Sequence, residues 1–311
     1  MRQQVCVGGA TAALLCALSL STPARAAEVP GWYSRTDFNA ALTRGNSDTL
    51  NVGLNAEFTR KWLRTDWKTR AIFSRNDVSE PTRRAVSTCA LPCDTVADAR
   101  DETGPNVTKS EKMFADSTFK RYITERFFWN VSGSFERDKF AGLDNRLVAF
   151  VGVGYRFENR DKTGLFDLTA GPTYTTQKEV IDDPETVNEF AGARVAATGD
   201  YKFGDTKNST FSSQLVVDEN LQDTADLRSN WVNRLTVAMG RRLSVNLSAQ
   251  LVYDNQPQLV ELTIFRTNAA GNLVETQSKK NFPAKKLDAT ISAGITITFS
   301  PGGVASRPGV N

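Results

Sequence analysis

The 311-residue chain contains no histidine, and this absence excludes more chemistry than any other feature of its composition. It removes the side chain that titrates near neutral pH and most often serves as general base. Ser-His and Cys-His nucleophile systems and histidine-ligated metal sites go with it. The sequence accordingly offers no candidate catalytic residue, no metal-ligand set and no cofactor motif. Only lysine- or carboxylate-based chemistry is left open to an enzyme.

Long apolar runs are also missing. Beyond residue 27 nothing reaches the roughly 18 apolar residues of a membrane-spanning helix; the best stretch, Leu147 to Tyr155, is closed by Arg146 and Arg156. If the chain spans a membrane it must do so as a closed β-barrel, the other structure that satisfies every backbone group in lipid. A surplus of one charge is lacking too. Removing the first 26 residues takes two arginines and no acid from 38 basic and 35 acidic residues, leaving 36 against 35. A nearly neutral chain without a basic patch is not an electrostatic nucleic-acid binder.

Cysteine is scarce, with four in the chain. Cys6 and Cys16 fall in Met1–Ala26, which reads as an export signal: Arg2 is its charged start, Val5 to Leu20 its apolar stretch, and Ala24-Arg25-Ala26 its cleavage site. The remaining pair, Cys89 and Cys93 in Cys-Ala-Leu-Pro-Cys, reads as a local disulfide in an oxidising compartment. Without a histidine the two thiols make a poor zinc shell.

What is present is a period of two. Leu243, Val245, Leu247, Ala249, Leu251 and Tyr253 alternate with Ser244, Asn246, Ser248 and Gln250, and the stretch from Leu287 to Phe299 repeats the pattern. Comparable segments begin near Trp32, Leu50, Trp67, Phe114, Phe127, Arg146, Leu165, Glu189, Ser209, Trp231, Leu243 and Lys286. Twelve is an even number, as single-chain bacterial barrels require. Short polar turns such as 204–208 and 240–242 alternate with longer connections, the longest at 77–112 and 255–285.

Aromatics gather near the two ends of these segments: Trp32, Trp67, Trp129, Tyr155, Phe157, Tyr201, Phe203 and Phe299 at one, Phe73, Phe135, Tyr174, Trp231 and Tyr253 at the other. That is the double girdle of membrane barrels. A soluble β-sandwich would alternate as well, but without paired girdles. The expected fold is therefore all-β: a signal peptide at 1–26, an antiparallel up-and-down transmembrane barrel of about twelve strands at 27–299 with both termini in the periplasm, and a periplasmic tail at 300–311.

Within this pattern Thr43-Arg-Gly-Asn-Ser-Asp-Thr49, Phe135-Glu-Arg-Asp-Lys-Phe-Ala-Gly-Leu-Asp-Asn-Arg146, Val153-Gly-Tyr-Arg-Phe157 and Ala170-Gly-Pro-Thr-Tyr174 stand in one order along the chain. In these motifs it resembles the YdiY-like family of salt-induced outer-membrane proteins. The resemblance implies an outer-membrane barrel, with a link to osmotic response, whose biochemical activity is undefined.

Alternation places Asp37, Asn55, Glu57, Arg70, Arg156, Asp167, Arg194, Asp200, Arg234 and Asp288 in the lumen. Such charges serve either as a tuned constriction in a pore or as ion pairs filling a narrow interior. Strand order suggests that Arg70, Arg194 and Arg234 neutralise Glu57, Asp167 and Asp200. A second group, Glu136, Arg137, Asp138 and Arg146 with Asp144, falls at an outer hairpin, where it forms a ligand site or knits the loop together. The acidic stretches 181–185 and 218–226 read as solvated surface loops. The expected partners are outer-membrane lipids and lipopolysaccharide, the barrel-assembly machinery and small solutes or ions. Two functions stay open: a narrow passive channel, and a structural envelope protein whose loops bind a partner or lipopolysaccharide.

Overall fold

The computed structural model describes residues 30–44, 49–76, 83–87, 98–101, 110–181, 187–204, 208–240, 242–267 and 273–299. The signal segment, Cys89, Cys93 and the tail lie outside them. Along the first half run β1 (Gly31–Arg44), β2 (Thr49–Lys61), β3 (Thr65–Asn76), β4 (Arg83–Ser87), β5 (Asp98–Asp101), β6 (Ser110–Tyr122), β7 (Phe127–Asp138) and β8 (Leu143–Glu158). The second half holds β9 (Gly164–Glu179), β10 (Glu189–Phe203), β11 (Ser209–Asn220), β12 (Leu227–Ala238), β13 (Leu243–Asp254), β14 (Leu259–Thr267), β15 (Leu273–Pro283) and β16 (Leu287–Phe299).

Twelve strands close a barrel in the order β1-β16-β13-β12-β11-β10-β9-β8-β7-β6-β3-β2. Each of the twelve segments expected from alternation lies in, or within one residue of, a different one of these strands. All barrel neighbours pair antiparallel, and the seam is sealed from Ser34 opposite Phe299 to Arg44 opposite Ala289. Closure leaves no unpaired edge.

The pattern inverts that of a soluble protein. Among the described residues forty large hydrophobic side chains are exposed, while six hydrophobic residues are buried beside sixteen polar or charged ones. On β13 the alternation resolves as Leu243, Val245, Leu247 and Leu251 outward, with Asn246 buried. At the rim of the short turns, Trp32, Trp67, Phe157, Tyr201, Phe203 and Phe299 face out; at the opposite rim, Phe73, Tyr174 and Trp231 do. Two serines on the outer face serve the girdles. Ser117 accepts from Trp67 Nε1 at 2.9 Å and Ser213 from Trp231 Nε1 at 3.1 Å, so a hydroxyl among the apolar positions of β11 satisfies an indole.

Inside, aromatic rings rest on glycines. Phe128 of β7, 0% exposed, lies over Gly154 of the neighbouring β8, and Phe150 lies over Gly152 two residues on in its own strand. A Cβ at either glycine would collide with the ring, so the missing side chain is what admits the phenyl group into the lumen.

The short connections 62–64, 123–126, 159–163, 204–208 and 239–242 share one rim with both ends of the barrel sequence. The two longest connections, expected as loops, carry a second sheet of order β15-β14-β4-β5. Two hairpins from separate loops join through one parallel contact between β14 and β4, from Ile264–Ala85 to Arg266–Ser87. Local alternation does not reveal this pairing, because its partners lie far apart in the chain. The segment leading into β14 also crosses the mouth. It leaves β13, yet Leu259 packs on Gly142 in the β7–β8 turn, half-way round the barrel order. Gly142 has φ 85°, and a Cβ there would stand 2.6 Å from the Leu259 carbonyl oxygen. This segment, with the sheet that it leads into, is the lid of that end.

Candidate functional site: the charged lumen

The pleat decides which charges meet. In the half nearest the short turns, Asp37 of β1 is 1% exposed and accepts four donors: Arg35 Nε at 2.9 Å, Asn55 Nδ2 at 3.1 Å, Arg234 Nη1 at 3.0 Å and Thr296 Oγ1 at 2.6 Å. These come from β1, β2, β12 and β16. On the opposite wall Asp167 of β9 is clasped by Arg156 through Nε and Nη2, both at 2.7 Å, and by Lys120 Nζ at 2.8 Å. Asp37 and Asp167 stand on strands six apart in a barrel of twelve. Each carboxylate thus holds two cations, and the charge-assisted bonds fix both nodes in place.

Between and beside the nodes the pairs are local. Glu57 binds Lys68 at 2.7 Å, Arg70 binds Asp116 at 2.7 Å, and Arg194 binds Asp218 through two contacts of 2.6 and 2.9 Å. The expected pairing of Arg70, Arg194 and Arg234 with Glu57, Asp167 and Asp200 is therefore corrected. Arg70 and Arg194 take the carboxylate opposite them in the register of the next strand, and Arg234 reaches Asp37. Asp200 sits exposed near the short-turn rim, accepting from Ser212 Oγ at 2.6 Å. Asp288 stands near the lidded end, within the electrostatic reach of Lys112.

The outer-hairpin group does not form one network. Lys112 lies 3.4 Å from Glu136 and 3.5 Å from Asp138, and Arg146 lies 3.8 Å from Glu136, all facing inward. Arg137 faces out and meets Asp144 at 3.8 Å. A period of two puts Arg137 on the other face from its neighbours. Asp138 Oδ1 also accepts from Ala141 N at 3.1 Å and caps the turn.

Under the lid the charge balance changes. The inward-facing or buried charges described there are Lys112, Arg146 and Arg228 against Glu136, Asp138, Glu179, Asp226, Asp254 and Asp288. Arg228 Nη2 donates to Asp226 at 3.0 Å and its Nε lies 3.4 Å from Asp254. Arg146 Nε donates to Gln177 Oε1 at 3.1 Å. The acidic stretch 218–226 is thus no free loop: Asp218 belongs to β11, and Asp226 is buried on Arg228 and Asn220.

A row of cations capping inward rings was missed from sequence. Lys120 stands over Phe128 at 4.2 Å, Arg156 over Tyr122 at 4.9 Å, Arg70 over Phe114 at 5.2 Å, Arg194 over Phe150 at 5.4 Å and Arg228 over Phe190 at 5.6 Å. Each desolvated contact of this kind contributes about 0.5–2 kcal/mol. The signal lay in β6, where Lys112, Phe114, Asp116, Lys120 and Tyr122 share one parity; assigning aromatics to lipid by habit hides it.

A family model described as protein of unknown function, DUF481, matches residues 36–263. The chain belongs to this family. The DUF481 match begins within β1 and ends within β14, so it takes in the Asp167 node and most of the Asp37 node and of the lidded cluster, while Arg35, Asp288 and Thr296 lie outside it. No curated protein matches the chain. Among solved structures it is similar to the NanC porin, with a TM-score of 0.45 and 8% identity over 84% of this chain and 98% of that one. It is similar also to the KdgM porin in complex with disordered oligogalacturonate, with a TM-score of 0.41 and 8% identity over 86% and 99%. An anion-selective porin from Comamonas acidovorans follows at 0.37 and 8% over 87% and 99%.

Proposed function

We propose that the chain is an outer-membrane β-barrel, without enzymatic activity, that passes small solutes or ions through a narrow, charge-lined lumen. The observation that carries this reading is the inversion of its surface: an apolar, doubly girdled exterior around an interior of paired charges. Such an exterior suits lipid, and a closed sheet satisfies its backbone there. With an export signal at residues 1–26, the short-turn rim and both termini lie in the periplasm and the lid faces outside. The barrel-assembly machinery would insert it, and lipids and lipopolysaccharide would surround it. The family resemblance extends this to a role in the response to salt.

The lumen is crowded at the level of Asp37 and Phe128, so conductance in planar bilayers is expected to be small and intermittent. Replacing Arg70, Arg194 and Arg234 together by Ser leaves Asp116 and Asp218 without the arginines they pair with, removes one of the two arginines on Asp37 and clears part of the cross-section. Conductance should then rise and shift toward cations. Large, steady conductance of the unaltered barrel would reject the narrow-lumen reading. Absence of conductance in both forms would favour the second reading, a structural barrel whose lid sheet binds a partner or lipopolysaccharide, which the joining of two loops into β15-β14-β4-β5 supports.

A further inference from the structure

The outer face of the barrel carries a charged feature of its own, at the rim of the short turns. Arg60, near the end of β2, stands opposite Trp32 of β1 and Trp67 of β3 in the register, and both indoles face out. Its guanidinium is therefore on the lipid side of the sheet. The residue is half-buried, with the guanidinium 5.2 Å from the Trp32 ring and 5.4 Å from the ring of Trp62 in the turn that follows. Partly desolvated contacts of this kind hold a cation in place without a carboxylate.

Trp62 also walls an open hollow of about 350 Å³, together with Arg64, Thr65, Phe119 and Arg121. Backbone bonds fix its outline. Trp62 N donates to the Thr65 carbonyl at 2.8 Å, Tyr122 N donates to that of Arg64 at 2.9 Å, and Thr65 stands opposite Arg121. Phe119 is backed by the ring of Trp129, 5.7 Å away. Arg64 and Arg121 are exposed, and among the described residues neither they nor Arg60 has a carboxylate partner. Other arginines of the two rims differ: Arg137 meets Asp144, and Arg126 donates to the Tyr155 hydroxyl at 3.4 Å.

An aromatic girdle lies at the level of lipid headgroups. An arginine there keeps its charge in the interface while its stem lies on apolar surface. The anion that this level supplies is the phosphodiester of a phospholipid, and a guanidinium binds phosphate through paired, charge-assisted hydrogen bonds. Two guanidiniums on one hollow and a third on its Trp62 wall, with no carboxylate described among them, suit a headgroup of net negative charge. A headgroup that carries an ammonium offers the same phosphate but sets another cation among the arginines. Trp62 and Phe119 give apolar surface to the glycerol and the first methylenes beneath the phosphate.

We propose that this hollow binds one anionic phospholipid of the leaflet that the short turns face, its phosphate held by Arg64 and Arg121. The site rests on the reading of the chain as a membrane barrel and adds to it a specific lipid at a named place. Arg60 contributes charge at long range and, through its contact with the indole, fixes the Trp62 wall.

The test is native mass spectrometry of the folded, full-length mature barrel in non-ionic micelles, titrated with dioleoyl phosphatidylglycerol, dioleoyl phosphatidylethanolamine and glycerol phosphate. Phosphatidylglycerol should add one molecule per barrel, about tenfold or more tighter than phosphatidylethanolamine, and glycerol phosphate should not displace it. Arg64→Gln and Arg121→Gln should each weaken phosphatidylglycerol binding about tenfold, the loss of one charge-assisted contact. Arg160→Gln, at an exposed arginine in the 159–163 turn outside the hollow, should leave it unchanged. Heat-modifiable migration on gels reports folding of every form, and if one hollow variant does not fold the other decides. Equal binding of the two lipids, displacement by glycerol phosphate, or the same loss in Arg160→Gln as in the hollow variants would each overturn the proposal. A barrel that folds into vesicles but prefers neither lipid stands as a membrane barrel without this site. Failure to fold into vesicles of either lipid removes the membrane reading, and the site with it.

Discussion

Arg234 on β12 donates to Asp37 on β1 at 3.0 Å, across 197 positions of sequence and two intervening strands of the barrel. With Arg35, Asn55 and Thr296 on the same carboxylate, the contact ties the first strand to the wall that completes the closure. A carboxylate that holds two arginines inside a barrel cannot be removed without leaving both uncompensated.

Asp37→Asn should therefore destabilise the folded barrel by about 3–5 kcal/mol, the usual cost of breaking a buried ion pair by deleting one partner. Urea unfolding in micelles, followed by tryptophan fluorescence, measures it. Adding Arg234→Gln should recover part of the loss, since the pair is coupled. Simple additivity of the two substitutions would show that the contact carries no energy.

Gly154→Ala places a methyl group where the Phe128 ring lies. Overpacking of this kind costs about 1–3 kcal/mol, and Phe128→Leu in the same chain should restore most of it by vacating the space. The measure is the temperature at which the compact gel species is lost. If Gly154→Ala is as stable as the parent, the ring does not fill the lumen at this level.

Leu247 is 51% exposed, a position where substitution in a water-soluble protein changes stability by about 0.5 kcal/mol or less. On a lipid-facing strand Leu247→Arg should cost about 2–4 kcal/mol when the barrel is folded into bilayers. The same variant compared in vesicles and in micelles tests the membrane directly. A negligible cost in vesicles would mean that this face meets water.

The orientation has its own test. In a chain with Cys89 and Cys93 replaced by Ser, Leu221→Cys at the lidded rim should react with a membrane-impermeant maleimide on intact cells. Asp161→Cys, in the β8–β9 turn, should react only after the outer membrane is opened. The opposite pattern would turn the barrel over.

The sequence by itself determined the barrel, its strand number and the inward or outward face of each residue on regular strands. An alternation such as Leu243 to Tyr253 is a local property of the chain, and a period of two cannot satisfy two faces in any other way. It could not determine partners. Whether Arg234 meets Asp200 or Asp37, and whether Arg70 meets Glu57 or Asp116, depends on register and on which strands closure makes neighbours, and these are set by contacts hundreds of residues apart. The same holds for Lys120 and the rings of Tyr122 and Phe128. Their parity was legible in the chain, but the space that lets the Phe128 ring turn inward is made by Gly154 on the adjacent strand. The lid lay furthest from view, because β4 and β14 pair across about 180 positions of sequence, and local alternation says nothing about a partner so distant.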